Sequence, residues 1–205
     1  MPETNIFKSI GPQNFVLPCP IFLVGSYYHT NANGEKVPNI MTAAWGCPCS
    51  AQPPAIAVAV RGSRQTHKAI LKQKAFTLSI PDSKILPEVD FCGIFSVAQG
   101  NKFDRTKLTP VPAEHVDAPY VQECPVVIEL TLMKSCDVGT HTLYIGEIMD
   151  VKIRESALNA EGLPNPKELD VLAYIPMLRE YWGLGDFKAK AFGIGKTITA
   201  NKIAD

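Results

Sequence analysis

The feature that most constrains the fold of this chain is a set of six apolar segments with strand character. Turns separate these segments, and few helical patterns lie between them. Residues 21–28 run into Asn33-Gly34, and an Asn-Gly pair is the strongest short hairpin signal. Residues 37–45 return from this turn, and Pro38 favours an edge position or a strand start. The remaining four predicted strands are residues 55–60, 76–80, 126–134 and 142–153.

Three helices are predicted around these strands. Residues 65–74 place three apolar side chains opposite three lysines, as in a short amphipathic helix. Residues 87–95 begin with Pro87, which the first turn of a helix tolerates, and residues 167–174 end before Pro176. Because no βαβ rhythm links the strands, we predict a mainly β domain with peripheral helices, built on an antiparallel barrel.

Length and composition fit a single domain spanning residues 1–205, with a C-terminal extension from about residue 160. Apolar residues make up 46% of the chain and charged residues 20%, which excludes disordered, coiled-coil and fibrous classes. The 20 basic and 20 acidic side chains balance, so a general nucleic-acid binder is disfavoured. The sequence contains no membrane-length apolar stretch, no secretory signal pattern and only six scattered cysteines. A cytoplasmic protein with reduced thiols is therefore expected.

The end of the predicted strand 55–60 offers a candidate anion site. A glycine follows the strand, a helix begins, and free N–H groups at a helix N-terminus attract anions. Arg61 and Arg64 add charged, forked donors, while Ser63 and Thr66 add hydroxyls. The alternative is that Ser63 caps the helix and both arginines are solvated.

The segment 39–45 is a candidate surface for a flat ligand. Its small side chains let a ring approach the backbone, and Trp45 is placed to stack on that ring. The alternative is an ordinary core strand with a buried tryptophan. The following Cys47-Pro48-Cys49 has no second cysteine pair at zinc spacing, so no metal site is predicted.

Two further features mark candidate sites near the C-terminal half. His141 follows Gly139 where a strand begins, so it is either a hydrogen-bond donor to a ligand or a structural histidine. Aromatic side chains between glycines in residues 181–187 suit either a mobile flap over a ligand or a tail packed on the barrel. No serine-hydrolase elbow and no glycine-rich dinucleotide loop occur.

The order of these motifs resembles the flavin reductase-like family, from about Pro18 to Lys196. The resemblance rests on Asn-Ile-Met-Thr-Ala-Ala-Trp at 39–45, Pro53-Pro54, the strand after it, residues 61–66, Lys102-Phe103, Gly139-Thr140-His141, Gly146-Glu147 and the aromatic segment 181–192. It implies an FMN-binding split β-barrel that forms an obligate homodimer, with the flavin near the subunit interface. By the same resemblance, the segment with Gly139-Thr140-His141 and Gly146-Glu147 argues against a haem-associated split barrel or a pyridoxamine phosphate oxidase relative.

The resemblance also implies which residues contact the cofactor. Those along the flavin ring are Asn39, Met41, Thr42, Ala43 and Trp45, continued by Cys47, Cys49 and Ser50. Those near the phosphate are Arg61, Ser63, Arg64 and Thr66. Lys102 and Phe103 match a Lys-Phe pair near the flavin, with Lys102 within reach of the phosphate or a ring carbonyl. His141 is the implied catalytic residue, close to nicotinamide and flavin, although Thr140 replaces the aspartate of the family's Gly-Asp-His motif.

The implied activity is hydride transfer from NADH or NADPH to FMN, followed by electron transfer to an acceptor such as a redox protein. The alternative is an FMN electron-transfer protein without its own NAD(P)H oxidation. Cys47 and Cys49 line the pocket in the favoured interpretation and relay electrons in the less favoured one.

Overall fold

The computed structural model describes residues 6–196 and 198, and antiparallel β-structure dominates it. Its strands are β1 (Cys19–Pro20), β2 (Phe22–Thr30), β3 (Lys36–Ala43), β4 (Gly46–Ala51), β5 (Pro54–Arg61), β6 (Ala75–Ile80), β7 (Pro110–Pro112), β8 (Pro119–Val121), β9 (Val126–Val138), β10 (His141–Ile153), β11 (Leu172–Ile175) and β12 (Glu180–Gly183). Seven of them form one sheet in the order β3-β2-β6-β9-β10-β5-β4. The smaller sheets are β1-β11-β12 and β7-β8.

The two edge strands of the large sheet are consecutive in the chain. Only Ala44 and Trp45 separate β3 from β4, so the chain crosses here from one edge of the sheet to the other. The Ala59 N–H on β5 donates to the Trp45 carbonyl at 2.8 Å. A Cβ on Gly46 would lie 2.8 Å from the Ala57 carbonyl oxygen, which explains why glycine stands at this close approach. The sheet is therefore a split barrel whose opening lies beside residues 44–45.

Strands β2 and β3 are buried on both faces. Val24 on β2 and Met41 on β3 belong to the core inside the barrel, with Phe76, Leu130 and other apolar side chains. The alternate residues Leu23 and Ile40 face a second core, which covers the outside of the same strands. The backbone of β3 is therefore held from two sides where it approaches the opening.

In the part of the chain that the structure describes, three α-helices lie around the sheets: α1 (Gln65–Gln73), α2 (Leu86–Ile94) and α3 (Pro166–Leu169). Short 3-10 helices occupy Ser83–Ile85, Val97–Gln99 and Glu155–Ala157. The second core contains Val89 and Cys92 of α2, packed with Ile40 of β3. Among the described residues, no helix is both long enough and apolar enough to cross a membrane.

The predicted fold class and all six predicted strands are confirmed, as are the first two helices, with shifts at their ends. The predicted helix over residues 167–174 is wrong beyond Leu169, within its first turn. Helix α3 ends at Leu169, and Asp170 takes a left-handed conformation with φ of 45°. The following residues form β11, which pairs with both β1 and β12. Two strand partners outweigh the weak local preference for a helix.

Candidate functional site

A cavity of about 360 Å³ opens at the split between β3 and β5. This volume lies within the range typical of small-molecule sites. The lining residues come from β3, the crossing at 44–45, β5, the start of α1, β10 and β11: Met41, Thr42, Ala43, Ala44, Trp45, Ala59, Arg61, Arg64, His141 and Tyr174. Three segments that sequence analysis selected separately therefore meet around one cavity.

Strand pairing explains how the histidine reaches the arginines. Strands β5 and β10 are antiparallel, and His141 lies directly opposite Arg61. The chain turns at Gly62 after β5, and Arg64 becomes the N-cap residue of α1. One register thus brings the start of β10, the end of β5 and the first turn of α1 to the same cavity.

The two arginines give one side of the cavity a positive charge. The Arg64 Nη2 atom donates to the Gly93 carbonyl at 2.5 Å, which holds the half-buried side chain in place. This bond uses only part of a guanidinium that carries five N–H donors. The N-terminus of α1 adds the positive end of a helix dipole. This side of the cavity is suited to a phosphate or carboxylate group.

The imidazole of His141 is oriented by two neighbours. Its Nδ1 atom lies 2.8 Å from the Thr140 hydroxyl, and its ring centroid lies 4.8 Å from that of Trp45. Burial lowers the pKa of His141, and the positive charge of Arg61 lowers it further. A neutral imidazole at physiological pH can accept a hydrogen bond from Thr140 at Nδ1 and donate from Nε2.

Asn39 and Thr66 form a layer behind the cavity lining. Both are buried, and the Asn39 amide nitrogen donates to the Thr66 hydroxyl at 3.1 Å. The Asn39 Oδ1 atom is also buried and has no hydrogen-bond partner among the described residues. These two predicted contact residues join β3 to the first turn of α1 and are not part of the cavity lining.

Lys102 and Phe103 also lie outside the lining. Lys102 is 2% exposed, and its ammonium donates to the carbonyls of Ile40 at 2.7 Å and Cys92 at 2.8 Å. Burial lowers the pKa of Lys102 to about 8. Phe103 is a member of the second core. In this position Lys102 contacts strand β3 behind the cavity. The family resemblance had instead implied that Lys102 contacts the phosphate or a ring carbonyl.

The remaining predicted residues are at the surface. Ser63 is exposed, and Arg64 rather than Ser63 is the N-cap of α1, so the capping alternative for Ser63 is wrong. Cys47, Cys49 and Ser50 are exposed on the edge strand β4 and do not line the first cavity. Among the described residues, no group of three or more potential ligand side chains could hold a metal ion.

A second, larger cavity adjoins the first. Its volume is about 770 Å³, and it shares Ala44, Trp45 and Ala59 with the first cavity. Most of its lining is apolar, including Phe22 and Ile128, and Cys47 lies at its wall. Trp45 thus stands between a charged compartment and an apolar one.

Sequence analysis missed three lining residues. Ala44 and Ala59 belong to segments already selected, and their small size is what leaves room for the cavity. Tyr174 lies in the segment that was predicted as helix, so its placement on β11 had no local signal. Its ring packs against Tyr181 of β12, with 5.7 Å between centroids.

The segment after β12 does not pack on the barrel. Leu184 is 55% exposed and Phe187 is 74% exposed, so neither side chain packs on the barrel of its own chain. Within β12, by contrast, the Tyr181 hydroxyl donates to Asp90 at 2.8 Å.

Comparison with known proteins agrees with this geometry. The flavoredoxin of Desulfovibrio vulgaris (Miyazaki F) is 45% identical, with a TM-score of 0.85 over 93% of this chain and 100% of that one. A flavoredoxin from Methanosarcina acetivorans is 27% identical, with a TM-score of 0.82 over 94% of this chain and 100% of that one. A ferric-chelate reductase (NAD(P)H) of Archaeoglobus fulgidus is 30% identical over 135 residues, which are 65% of this chain and 78% of the relative. The profile of the flavin reductase like domain matches residues 16–176. The chain therefore belongs to the flavin reductase-like family.

Proposed function

We propose that this protein binds FMN in the cavity at the barrel split and transfers hydride from NAD(P)H to it, with electrons passing on to an acceptor. The observation that carries the proposal is the meeting of Arg61, Arg64 and His141 with the backbone of residues 41–45 around one cavity. A phosphate group, a flat ring and a nicotinamide each have a chemically matched partner there.

The donor set fits FMN. Arg61 and Arg64, with the first turn of α1, would hold the phosphate through charge-assisted hydrogen bonds. The alanines at 43, 44 and 59 leave the strand backbone open to the edge and face of a ring. Trp45 borders both cavities, so the apolar cavity can accommodate ligand surface that the charged one does not.

FMN supplies the hydride-accepting ring, and the protein supplies orientation and electrostatics. A neutral His141 held by Thr140 would donate a hydrogen bond to a bound nicotinamide or flavin oxygen without adding a second cation beside Arg61. Arg61 and Arg64 would hold the phosphate, so their role would be to bind the cofactor.

Two relatives support different versions of this activity. The name of the Archaeoglobus fulgidus relative includes NAD(P)H as electron donor, which supports hydride transfer. The 45% identity to a flavoredoxin supports the second candidate, an FMN electron-transfer protein that another protein reduces. His141 beside Trp45 in the cavity favours the first candidate, since a pure electron carrier has no need of a nicotinamide contact.

An anaerobic spectrum tests both candidates. The purified protein is mixed with FMN, free flavin is removed, and NADH or NADPH is added in the absence of oxygen. Loss of the yellow colour supports the reductase. A yellow protein that stays oxidised supports the electron carrier, and a protein that never retains or takes up FMN contradicts both.

We also propose that the protein is a homodimer with the flavin site near the interface. Large apolar side chains are exposed in both terminal segments: Ile6 87%, Phe7 96%, Phe187 74% and Phe192 96%. Such segments mark interaction surfaces, and a second copy would bury them. Sedimentation equilibrium should give twice the chain mass of 22.4 kDa, and a single-chain mass would contradict the proposal.

A further inference from the structure

The charged end of Lys102 ties two elements together behind the cavity. Its Nζ atom contacts the Ile40 carbonyl on β3 and the Cys92 carbonyl in the last turn of α2. The side chain is buried, so both contacts are made away from water. Charge-assisted hydrogen bonds of this kind are stronger than neutral ones.

The same end of α2 receives a second cation. The last four carbonyls of a helix lack partners within it, and cations near them also interact favourably with the helix dipole. Lys102 takes the Cys92 carbonyl, and Arg64 takes the Gly93 carbonyl at 2.5 Å. The end of α2 is therefore the common anchor for a lysine that holds β3 and an arginine that lines the cavity.

A third contact completes the link between α2 and β3. The Thr42 hydroxyl donates to the Val89 carbonyl of α2 at 2.5 Å, and Thr42 itself lines the cavity. Ile40 and Thr42 are two residues apart on β3, immediately before the residues at 43–45 that border the cavity. The position of α2 thus controls where this backbone lies.

We propose that Lys102 is a positioning residue, which sets the β3 backbone and, through the end of α2, the Arg64 side chain for cofactor binding without touching the cofactor. A buried ammonium without hydrogen-bond acceptors would destabilise the fold, and the two carbonyls supply those acceptors. The lowered pKa of Lys102 agrees with this burial. The effect of Lys102 on cofactor binding rests on the proposed function, whereas its effect on the position of β3 can be tested in the protein without cofactor.

The test compares Lys102→Met, which has no donors, with the wild-type protein in two readouts. The first is the dissociation constant of FMN from fluorescence titration, together with the absorption spectrum of bound flavin. We expect roughly tenfold weaker binding and a displaced spectrum, as misplaced supporting groups commonly cause. The second is the tryptophan emission of the cofactor-free protein in a Trp182→Phe background, where Trp45 is the remaining tryptophan. We expect a shifted emission maximum.

Two matched controls separate positioning from general loss of packing. Leu108→Ala creates a cavity in the same second core as Ile40 and Cys92, and Lys107→Met removes an exposed lysine nearby. Leu108→Ala should lower the melting temperature yet keep the wild-type FMN affinity and Trp45 emission. Lys107→Met should change none of these.

The outcomes distinguish the inference from the function on which it rests. Wild-type affinity, flavin spectrum and Trp45 emission in Lys102→Met would overturn the inference. Equal changes in Leu108→Ala would overturn it too, since packing alone would then explain them. If Lys102→Met does not fold, Lys102→Leu, which is smaller and also lacks donors, carries the test, and its unchanged affinity and emission would have the same meaning. If wild-type protein binds no FMN, the proposed function fails, while the Trp45 emission still decides whether Lys102 positions β3.

Discussion

His141 and Arg61 are directly opposed across β5 and β10, and both line the cavity at the barrel split. Burial lowers the pKa of His141, and the fixed positive charge that this pairing places beside the ring lowers it further. The register of one strand pair therefore contributes to the lowered pKa of the residue that the proposed function assigns to the nicotinamide.

Arg61→Gln should raise the pKa of His141, because the neighbouring like charge is removed while burial remains. The change is measured by following the imidazole C–H proton signals in an NMR titration. Comparison with His141→Ala, whose spectrum lacks the signals of that ring, assigns them to His141. An unchanged His141 titration would show that the guanidinium charge is screened from the ring.

His141→Ala should slow flavin reduction by NAD(P)H while FMN stays bound. Loss of a positioned hydrogen-bonding or proton-transferring side chain commonly costs about 10²-fold or more in rate. Anaerobic stopped-flow absorbance measures the rate, and flavin retention after gel filtration is the control. Thr140→Val, which removes the hydroxyl beside Nδ1, should give a smaller loss in the same direction. Wild-type reduction rates in His141→Ala would remove its catalytic role.

Arg64→Ala should weaken FMN binding by about 10- to 100-fold, which corresponds to one or two charge-assisted hydrogen bonds. The reduction rate of the flavin that remains bound should change little, because the phosphate is remote from the reacting ring. Fluorescence titration gives the affinity, and riboflavin, which lacks the phosphate, is the matched ligand control. Affinity for riboflavin should fall much less than affinity for FMN. Equal losses for both ligands would mean that Arg64 acts through the Gly93 contact alone.

The elements on which these predictions depend differ in how well the sequence could reveal them. Arg61 and Arg64 were predictable because a buried strand, a turn and an amphipathic helix are local patterns, and a charged side chain at their junction points to an anion. The residues around His141 left a structural role open, and the family resemblance alone singled it out as a site residue. Its alignment with Arg61 was not predictable, because register depends on the pairing of strands 80 residues apart.

Tertiary contacts explain what local patterns missed. The sequence around Lys102 looks like that of an exposed lysine. Only the folded chain shows that its ammonium donates to the carbonyls of Ile40 and Cys92. Tyr174 lies in a segment whose local pattern predicted a helix. The segment is a strand instead, because it pairs with both β1 and β12. In each case one deciding partner, Ile40 for Lys102 and β1 for Tyr174, lies outside the sequence window that a pattern can examine.

The buried carboxylate of Glu129 gives a prediction on stability that is independent of the cofactor site. It accepts hydrogen bonds from the backbone N–H of His115 at 2.7 Å and from Lys152 Nζ at 2.9 Å. Glu129→Leu should lower the free energy of unfolding by about 3 kcal/mol, because the His115 N–H and the Lys152 ammonium lose a charged acceptor. Urea denaturation measures this, with the exposed Glu161→Leu as control. FMN affinity should stay unchanged, and a large loss of affinity would show that this network communicates with the cavity.

Burial lowers the pKa of Lys102 from an ordinary value of 10.5 to about 8, and this shift predicts how stability depends on pH. Between these two values the unfolded chain binds the proton and the folded chain does not, so the contribution of Lys102 to stability rises with pH. Relative to Lys102→Met, the wild-type free energy of unfolding should rise by about 2 kcal/mol between about pH 7.5 and 9.5. Urea denaturation of both proteins across this range measures the difference between their free energies of unfolding. Both proteins contain the same buried thiols, so the contribution of those thiols cancels in the difference. Lys107→Met should follow the wild-type curve. Parallel curves for wild type and Lys102→Met would mean that the ammonium keeps its ordinary pKa when buried.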